Sequence, residues 1–170
     1  MVVILHNVRS THNVGSIFRT ADAAGVEKIY LCGITPAPVD RFGRVNEKIA
    51  KVALGADKWV EWEKISRTTA VIDKLKKPAR NASASVAGGD GYKILAIEQS
   101  NRSVPYQKIK LSKKDLEKTA LVVGNEIEGL PLAILRRADK ILEIKMRGKK
   151  ESLNVAVAFG IVAFNLINKI

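Results

Sequence analysis

The chain alternates between short, wholly apolar runs and longer segments whose apolar residues recur every three or four positions. Val2–Leu5 is the first such run, and the next segment carries its apolar residues at helical spacing, namely Val14, Ile17, Phe18 and Ala21. A short apolar run without alternation is typical of a strand buried on both faces. The opening of the chain therefore predicts an interior strand followed by an amphipathic helix.

The same patterns predict the remaining elements. Strands are expected over 28–32, 58–62, 82–86, 92–97, 120–123 and 140–145, and helices near 45–54, 66–77, the end of 99–118, just after Pro131, and from about 153 to the end. Thr11 or Asn13 is expected to cap the first helix and Gly25 to end it. Strands that alternate with helices predict a single α/β domain over 1–170, with a mostly parallel sheet covered by helices on both faces.

The composition and net charge of the chain indicate which class of partner it binds. The chain has 170 residues, 46% of them hydrophobic, which is enough for one domain with a sizeable core. Lys and Arg number 29 against 17 Asp and Glu, giving a net charge of +12. This excess favours a polyanionic partner, and nucleic acid is the commonest one. A basic surface that serves only solubility is the alternative.

Several other classes of function are disfavoured. Cys32 is the only cysteine, so no disulfide is expected, and His6 and His12 are too isolated to suggest a metal site. The apolar segment 153–167 is shorter than the roughly 20 residues of a membrane span. The chain begins directly with strand residues and no signal peptide, so a cytoplasmic location without membrane attachment is expected.

Polar and glycine-rich segments follow three of the predicted strands, where open α/β sheets bind ligands. The first contains Asn13-x-Gly15-x-x-x-Arg19. Gly15 and Arg19 are four residues apart, so they share a helix face, and the missing Cβ is expected to leave room beside the guanidinium. An arginine there can bind a phosphate with two parallel hydrogen bonds. A solvated helix arginine is the alternative.

The second segment is Gly124-Asn-Glu126-Ile-Glu-Gly129, and the third is Ser152-Leu-Asn154 before the apolar C-terminal helix. The two glycines are expected to let backbone approach a ligand closely. The segment is not a phosphate-binding P-loop, because no Gly-Lys-Ser/Thr sequence follows. Taken alone, Ser152 is best read as a helix N-cap.

The three segments, in this order, resemble the three motifs of the SPOUT-superfamily RNA methyltransferases, and most closely the TrmH/SpoU group of ribose 2′-O-methyltransferases. The resemblance spans Val3 to Phe164. It implies a deep C-terminal trefoil knot, bound S-adenosylmethionine and a homodimer. The residues that it matches to the catalytic set are Asn13, Arg19, Glu126, Ser152 and Asn154. Those that it matches to the cofactor site are Ile97, Gly124, Glu126, Gly129, Ile144, Met146 and Leu153.

The resemblance implies transfer of a methyl group to a ribose 2′-hydroxyl of tRNA or rRNA. It leaves open whether Arg19 acts as a base or lowers the pKa of the hydroxyl electrostatically. The cations expected to contact RNA are Arg9, Arg19, Arg41, Arg44, Arg147, Lys149 and Lys150. No separate RNA-binding extension is expected, so one subunit of a dimer would present RNA to the other. The alternatives are a base-modifying SPOUT enzyme and a catalytically idle RNA-binding module.

Overall fold

The computed structural model describes residues 1–77 and 91–169, and these form one seven-stranded, entirely parallel sheet. The strands are β1 (Val2–His6), β2 (Lys28–Cys32), β3 (Glu61–Ile65), β4 (Lys93–Ile97), β5 (Val104–Pro105), β6 (Thr119–Val123) and β7 (Lys140–Glu143). Their spatial order is β3-β2-β1-β6-β4-β7-β5. Because all strands are parallel, all their carboxyl ends meet at one edge of the sheet, as expected from the sequence.

Helices connect these strands. They are α1 (Thr11–Ala23), α2 (Glu47–Ala53), α3 (Ala56–Trp59), α4 (Thr68–Lys76), α5 (Lys113–Glu117), α6 (Leu132–Leu135) and α7 (Val155–Ile167), with a 3-10 turn at Tyr106–Lys108. The predicted helices near 45–54 and 66–77, at the end of 99–118, after Pro131 and at the C-terminus are confirmed. The predicted strand over 82–86 lies outside the described residues.

Each face of the sheet supports its own hydrophobic core. Val3 and Leu5 of β1 pack with α1 and α7, whereas Val2 and Ile4 point to the opposite face, toward α4 and α6. All four side chains are almost completely buried. Burial on both faces is the reason why the β1 sequence is continuously apolar, and it confirms the predicted α/β architecture. The trefoil knot stays a prediction from the resemblance.

One predicted strand was displaced along the chain. A strand was expected over 58–62, but Ala56–Trp59 forms the short helix α3 and the strand β3 occupies Glu61–Ile65. β3 is an edge strand with charged residues exposed to solvent, so its apolar signal is weak. The two-residue strand β5 was also missed, because it is held only by its parallel pairing to β7.

The caps of the two longest helices differ from expectation. Ser10, rather than Thr11 or Asn13, caps α1, because its side chain accepts a hydrogen bond from the Asn13 backbone N–H. Asn154, rather than Ser152, caps α7 by accepting from the N–H groups of Ala156 and Val157. In the described residues, no helix is long and apolar enough to cross a membrane.

Gly15 has a different role from the one predicted. A Cβ at this position would lie 2.8 Å from the carbonyl oxygen of Ile49 and 2.8 Å from the Cβ of Val52, both in α2. The missing side chain therefore allows α1 and α2 to pack closely, and it does not serve to make room beside Arg19.

Candidate active site at the carboxyl edge of the sheet

A pocket opens where β4, β6 and β7 end. Its walls include all seven residues that the sequence assigned to a cofactor site: Ile97, Gly124, Glu126, Gly129, Ile144, Met146 and Leu153. Leu142, Val155 and Ala158 add apolar surface, and Ser152 also lines the pocket. Residues from the second and third motifs thus share one cavity although they are distant in sequence.

The loop 124–130 is folded tightly on itself. The Asn125 side-chain oxygen accepts hydrogen bonds from the N–H groups of Ile127 and Glu128, and its Nδ2 donates to the Asn7 carbonyl. A Cβ on Gly124 would lie 2.6 Å from the carbonyl carbon of Gly129. The glycines were expected to admit a ligand. The structure shows that they are needed for the internal packing of this loop, and their close approach to a ligand stays a prediction.

Glu98 fixes the far side of the same loop, and the sequence patterns did not single it out. Its Oε2 accepts a 2.7 Å hydrogen bond from the Leu130 N–H, and its Oε1 accepts from the Gln99 N–H. Gly129 has a φ of +64°, and a Cβ there would fall 2.2 Å from Glu98 Oε2. Glu98 could have been identified from the sequence as an acidic residue directly after a buried strand, at the edge of the sheet where ligands bind.

A hydrogen-bonded chain joins all three motifs. Asn13 Nδ2 donates to Glu126 Oε1 at 3.0 Å, and Asn154 Nδ2 donates to Asn13 Oδ1 at 2.9 Å. Glu126 also accepts from the backbone N–H groups of Arg9 and Ser10. The carboxylate therefore ties the β6 loop to the start of α1, and Asn13 passes this restraint to the start of α7.

The surroundings of Glu126 keep its carboxyl group ionised. Burial alone would raise its pKa, but the hydrogen bonds from Asn13, Arg9 and Ser10 outweigh burial and lower the pKa below the usual value. A charged acceptor also forms stronger hydrogen bonds than a neutral one. Glu126 is thus suited to holding the loops in place, and a group with a lowered pKa is a poor proton acceptor at neutral pH.

Arg19 is exposed on α1, and in the part of the chain that the structure describes its side chain has no hydrogen bond or ion pair. It does not line the pocket. Its neighbour Thr20 faces α7, where a Cβ added to Gly160 would meet the Thr20 methyl at 3.5 Å. Arg19 therefore carries an exposed, unpaired guanidinium on α1, one residue away from the contact with α7.

The seven cations predicted to contact RNA are all exposed: Arg9, Arg19, Arg41, Arg44, Arg147, Lys149 and Lys150. Arg9 follows β1, Arg41 and Arg44 follow β2, and 147–150 follow β7. All but Arg19 therefore lie in loops at the edge that carries the pocket. Among the described residues only Arg44 of the seven has an ion pair, with Asp40.

A parallel α/β sheet with a polar, hydrogen-bonded pocket at its carboxyl edge and a cationic border defines a ligand-binding protein of the α/β class. Comparison with known proteins gives its family. The model of the SpoU rRNA Methylase family matches residues 1–164. The chain belongs to this family, which confirms the resemblance seen in its three motifs.

Individual relatives support the same family assignment. The chain is 32% identical over 164 residues to the tRNA (guanosine(18)-2′-O)-methyltransferase of Aquifex aeolicus, covering 96% of this chain and 67% of the relative. It is 30% identical to the 23S rRNA (guanosine-2′-O-)-methyltransferase of Haemophilus influenzae, covering 99% of this chain and 60% of that protein.

Among solved structures, an AdoMet-bound rRNA methyltransferase from Sinorhizobium meliloti superposes with a TM-score of 0.77 at 30% identity. The match covers 96% of this chain and 54% of that one. The chain thus spans about half to two-thirds of the length of these three relatives.

Proposed function

We propose that this protein transfers a methyl group from S-adenosylmethionine to a ribose 2′-hydroxyl of tRNA or rRNA. One observation carries the proposal. The chain Glu126–Asn13–Asn154 joins all three motifs of the family at the mouth of a pocket lined by the residues matched to the cofactor site. The relatives from Aquifex aeolicus and Haemophilus influenzae methylate the 2′-O position of guanosine, in tRNA and in 23S rRNA respectively.

The pocket suits S-adenosylmethionine. Ile97, Leu142 and Ile144 supply an apolar wall for a neutral adenine, and the backbone of the loop 124–130 supplies polar atoms at one side. The remaining cofactor residues are Gly124, Glu126, Gly129, Met146 and Leu153. When bound, the cofactor supplies an electrophilic methyl group on its sulfonium sulfur.

The protein's share of the chemistry is orientation and charge. Methyl transfer to a hydroxyl requires an in-line approach, with S-adenosylhomocysteine as the leaving group, and loss of the hydroxyl proton, which would pass to solvent water. Arg19 is the unpaired cation assigned to the hydroxyl, and its fixed positive charge would stabilise the developing alkoxide. An arginine stays protonated in proteins, so this role suits it better than that of a base. The remaining catalytic set is Asn13, Glu126, Ser152 and Asn154. Asn13, Glu126 and Asn154 hold the site in shape through their hydrogen bonds, and Ser152 lines the pocket.

The active form is proposed to be a homodimer. Val157 and Phe164 lie seven positions apart on α7 and form an apolar stripe along its exposed face, being 49% and 39% exposed. Covering such a stripe is favourable by roughly 25 cal/mol for each Å² buried. Arg19 is next to Thr20, which faces Gly160 of α7, and it lies outside the pocket of its own chain. Pairing through α7 would therefore bring Arg19 of one subunit toward the pocket of its partner.

The RNA is proposed to lie along the carboxyl edge of the sheet, across Arg9, Arg41, Arg44, Arg147, Lys149 and Lys150. Exposed cations in loops bind phosphates without reading sequence.

Residues 1–170 are proposed to act as one catalytic unit in the cytoplasm, where tRNA and rRNA are modified.

The proposal is tested by incubating the protein with methyl-labelled S-adenosylmethionine and total RNA from cells that lack the gene. Transfer of label to RNA that is lost in Arg19→Ala supports it. Arg102→Ala, an exposed arginine outside the three motifs, is the control and should retain transfer. Cofactor binding without transfer to any RNA would favour the idle RNA-binding module. A label that persists in Arg19→Ala would contradict the assigned role of Arg19.

A further inference from the structure

Residues 39–45 form a small hairpin between β2 and α2. Val39 and Val45 pair as an antiparallel bridge, and the backbone N–H groups of Asp40 and Gly43 bond to the carbonyls of Arg44 and Asp40. The Asp40 carboxylate accepts from the N–H groups of Phe42 and Arg44 and from the Arg44 Nε at 2.8–3.0 Å. A single carboxylate thus organises the whole tip.

The hairpin presents an aromatic ring between two arginines. The guanidinium carbons of Arg41 and Arg44 lie 4.7 Å and 5.2 Å from the centre of the Phe42 ring. The ring is nevertheless 66% exposed. A large apolar side chain that is held at a loop tip and left open to solvent contributes little to the core, and its ring is available to a partner outside the chain.

The position of the hairpin suggests which partner. It follows the carboxyl end of β2, at the sheet edge where Arg9, Arg147 and the pocket also lie. Aromatic rings and guanidinium planes are the groups on which proteins stack unpaired bases, because every base has a π-face. A hairpin that bound only phosphates would need its two arginines but no aromatic ring.

We propose that Phe42, flanked by Arg41 and Arg44, is a stacking site for an unpaired base of the substrate RNA. The site selects RNA with a loop, bulge or single-stranded segment near the methylated nucleotide, and it does not contribute to the binding of continuous duplex. This inference rests on the proposed RNA substrate, but it concerns a residue that the methyl transfer does not itself require.

The experiment measures the affinity of the full chain for two RNA probes, a stem–loop with an unpaired loop and a blunt duplex of equal charge. Phe42→Ala should weaken stem–loop binding about five- to tenfold, because one stacked base is lost. It should leave duplex binding unchanged. The salt dependence of stem–loop binding should also stay the same, since no charge is removed. Phe42→Trp should restore the affinity.

Trp59→Ala removes an aromatic side chain of nearly the same exposure, 67%, outside the hairpin and should have no effect. Equal loss for both probes, or equal loss in Trp59→Ala, would overturn the proposal. A change of oligomeric state in Phe42→Ala would overturn it in favour of a protein contact. If the wild-type protein methylates RNA while Phe42→Ala binds the stem–loop normally, only this inference fails. If the wild type binds no RNA, the proposed function fails with it.

Discussion

Asn154 donates a 2.9 Å hydrogen bond from Nδ2 to Oδ1 of Asn13, across 141 positions of sequence. The same Asn154 uses its Oδ1 to cap α7, and Asn13 uses its Nδ2 to bond Glu126. In each side-chain amide the oxygen and the nitrogen therefore have different hydrogen-bond partners, which fixes the orientation of the amide. This arrangement fixes the starts of α1 and α7 relative to the loop after β6.

The two roles of Asn154 can be separated by two substitutions. Asn154→Ala loses the cap and the bond to Asn13, and should lower the free energy of unfolding by about 1–2 kcal/mol. Asn154→Asp keeps a good capping oxygen but places a carboxylate against Asn13 Oδ1. It should retain more stability than Asn154→Ala yet lose methyl transfer.

Chemical denaturation and transfer of labelled methyl measure the two effects. Full activity in Asn154→Asp would show that the bond to Asn13 has no part in shaping the site.

Gly15 and Gly160 offer a matched pair within long helices. Gly15→Ala should destabilise the protein by about 1–3 kcal/mol, because its Cβ would overlap the backbone of α2. At Gly160 the nearest atom to an added Cβ is a methyl at 3.5 Å, an ordinary contact. Gly160→Ala should therefore stabilise α7 by about 0.5–1 kcal/mol through helix propensity. Thermal unfolding of both variants checks the difference, and equal effects would contradict the role given to Gly15.

Arg19 is predicted to act on the pocket of the partner subunit. Arg19→Ala alone should reduce methyl transfer at least about a hundredfold, with little change in stability, because the side chain is unpaired. Ile144→Trp should fill the pocket and abolish cofactor binding. Co-expression of the two inactive chains should restore about a quarter of the wild-type activity, since half of the dimers then contain one intact composite site.

Calorimetry with S-adenosylmethionine verifies that Ile144→Trp no longer binds cofactor and that Arg19→Ala still does. Absence of any restored activity in the mixed dimers would place Arg19 at the pocket of its own chain.

Cys32 should be unreactive in the folded protein. Burial raises the pKa of its thiol to about 11, although a hydrogen bond with Thr68 opposes the shift. The thiolate is the reactive form, so a disulfide reagent at pH 8 should label Cys32 only after denaturation. An unfolded cysteine ionises near pH ~8.5, so the folded state loses stability as the pH rises above that value toward 11. Rapid, complete labelling in native buffer would contradict this burial.

Much of the fold was predictable because burial imposes a simple pattern. β1 and β6 are buried on both faces, so 2–5 and 120–123 are continuously apolar. β3 at the edge has no such requirement, and its predicted position was three residues early. β5 is only two residues long and depends on its neighbour β7, so no local pattern could indicate it.

The residues of the site fall into the same two groups, those that the sequence indicated and those that depend on tertiary contacts. The seven residues matched to the cofactor site all line one pocket, since they follow strands whose ends share an edge. Glu98 was missed because its function is to accept hydrogen bonds from a distant loop, and that depends on tertiary contact. The role of Gly15 was assigned wrongly because the residue that it accommodates, Ile49, lies in another helix.

The chemical position of the transferred methyl group tests ribose methylation most directly. RNA labelled by the purified protein can be hydrolysed in alkali, which cuts after every nucleotide that has a free 2′-hydroxyl. We predict that the label is recovered in alkali-resistant dinucleotides, and that Arg19→Ala yields none. Recovery of the label in methylated bases of ordinary mononucleotides would contradict ribose methylation and favour a base-modifying enzyme.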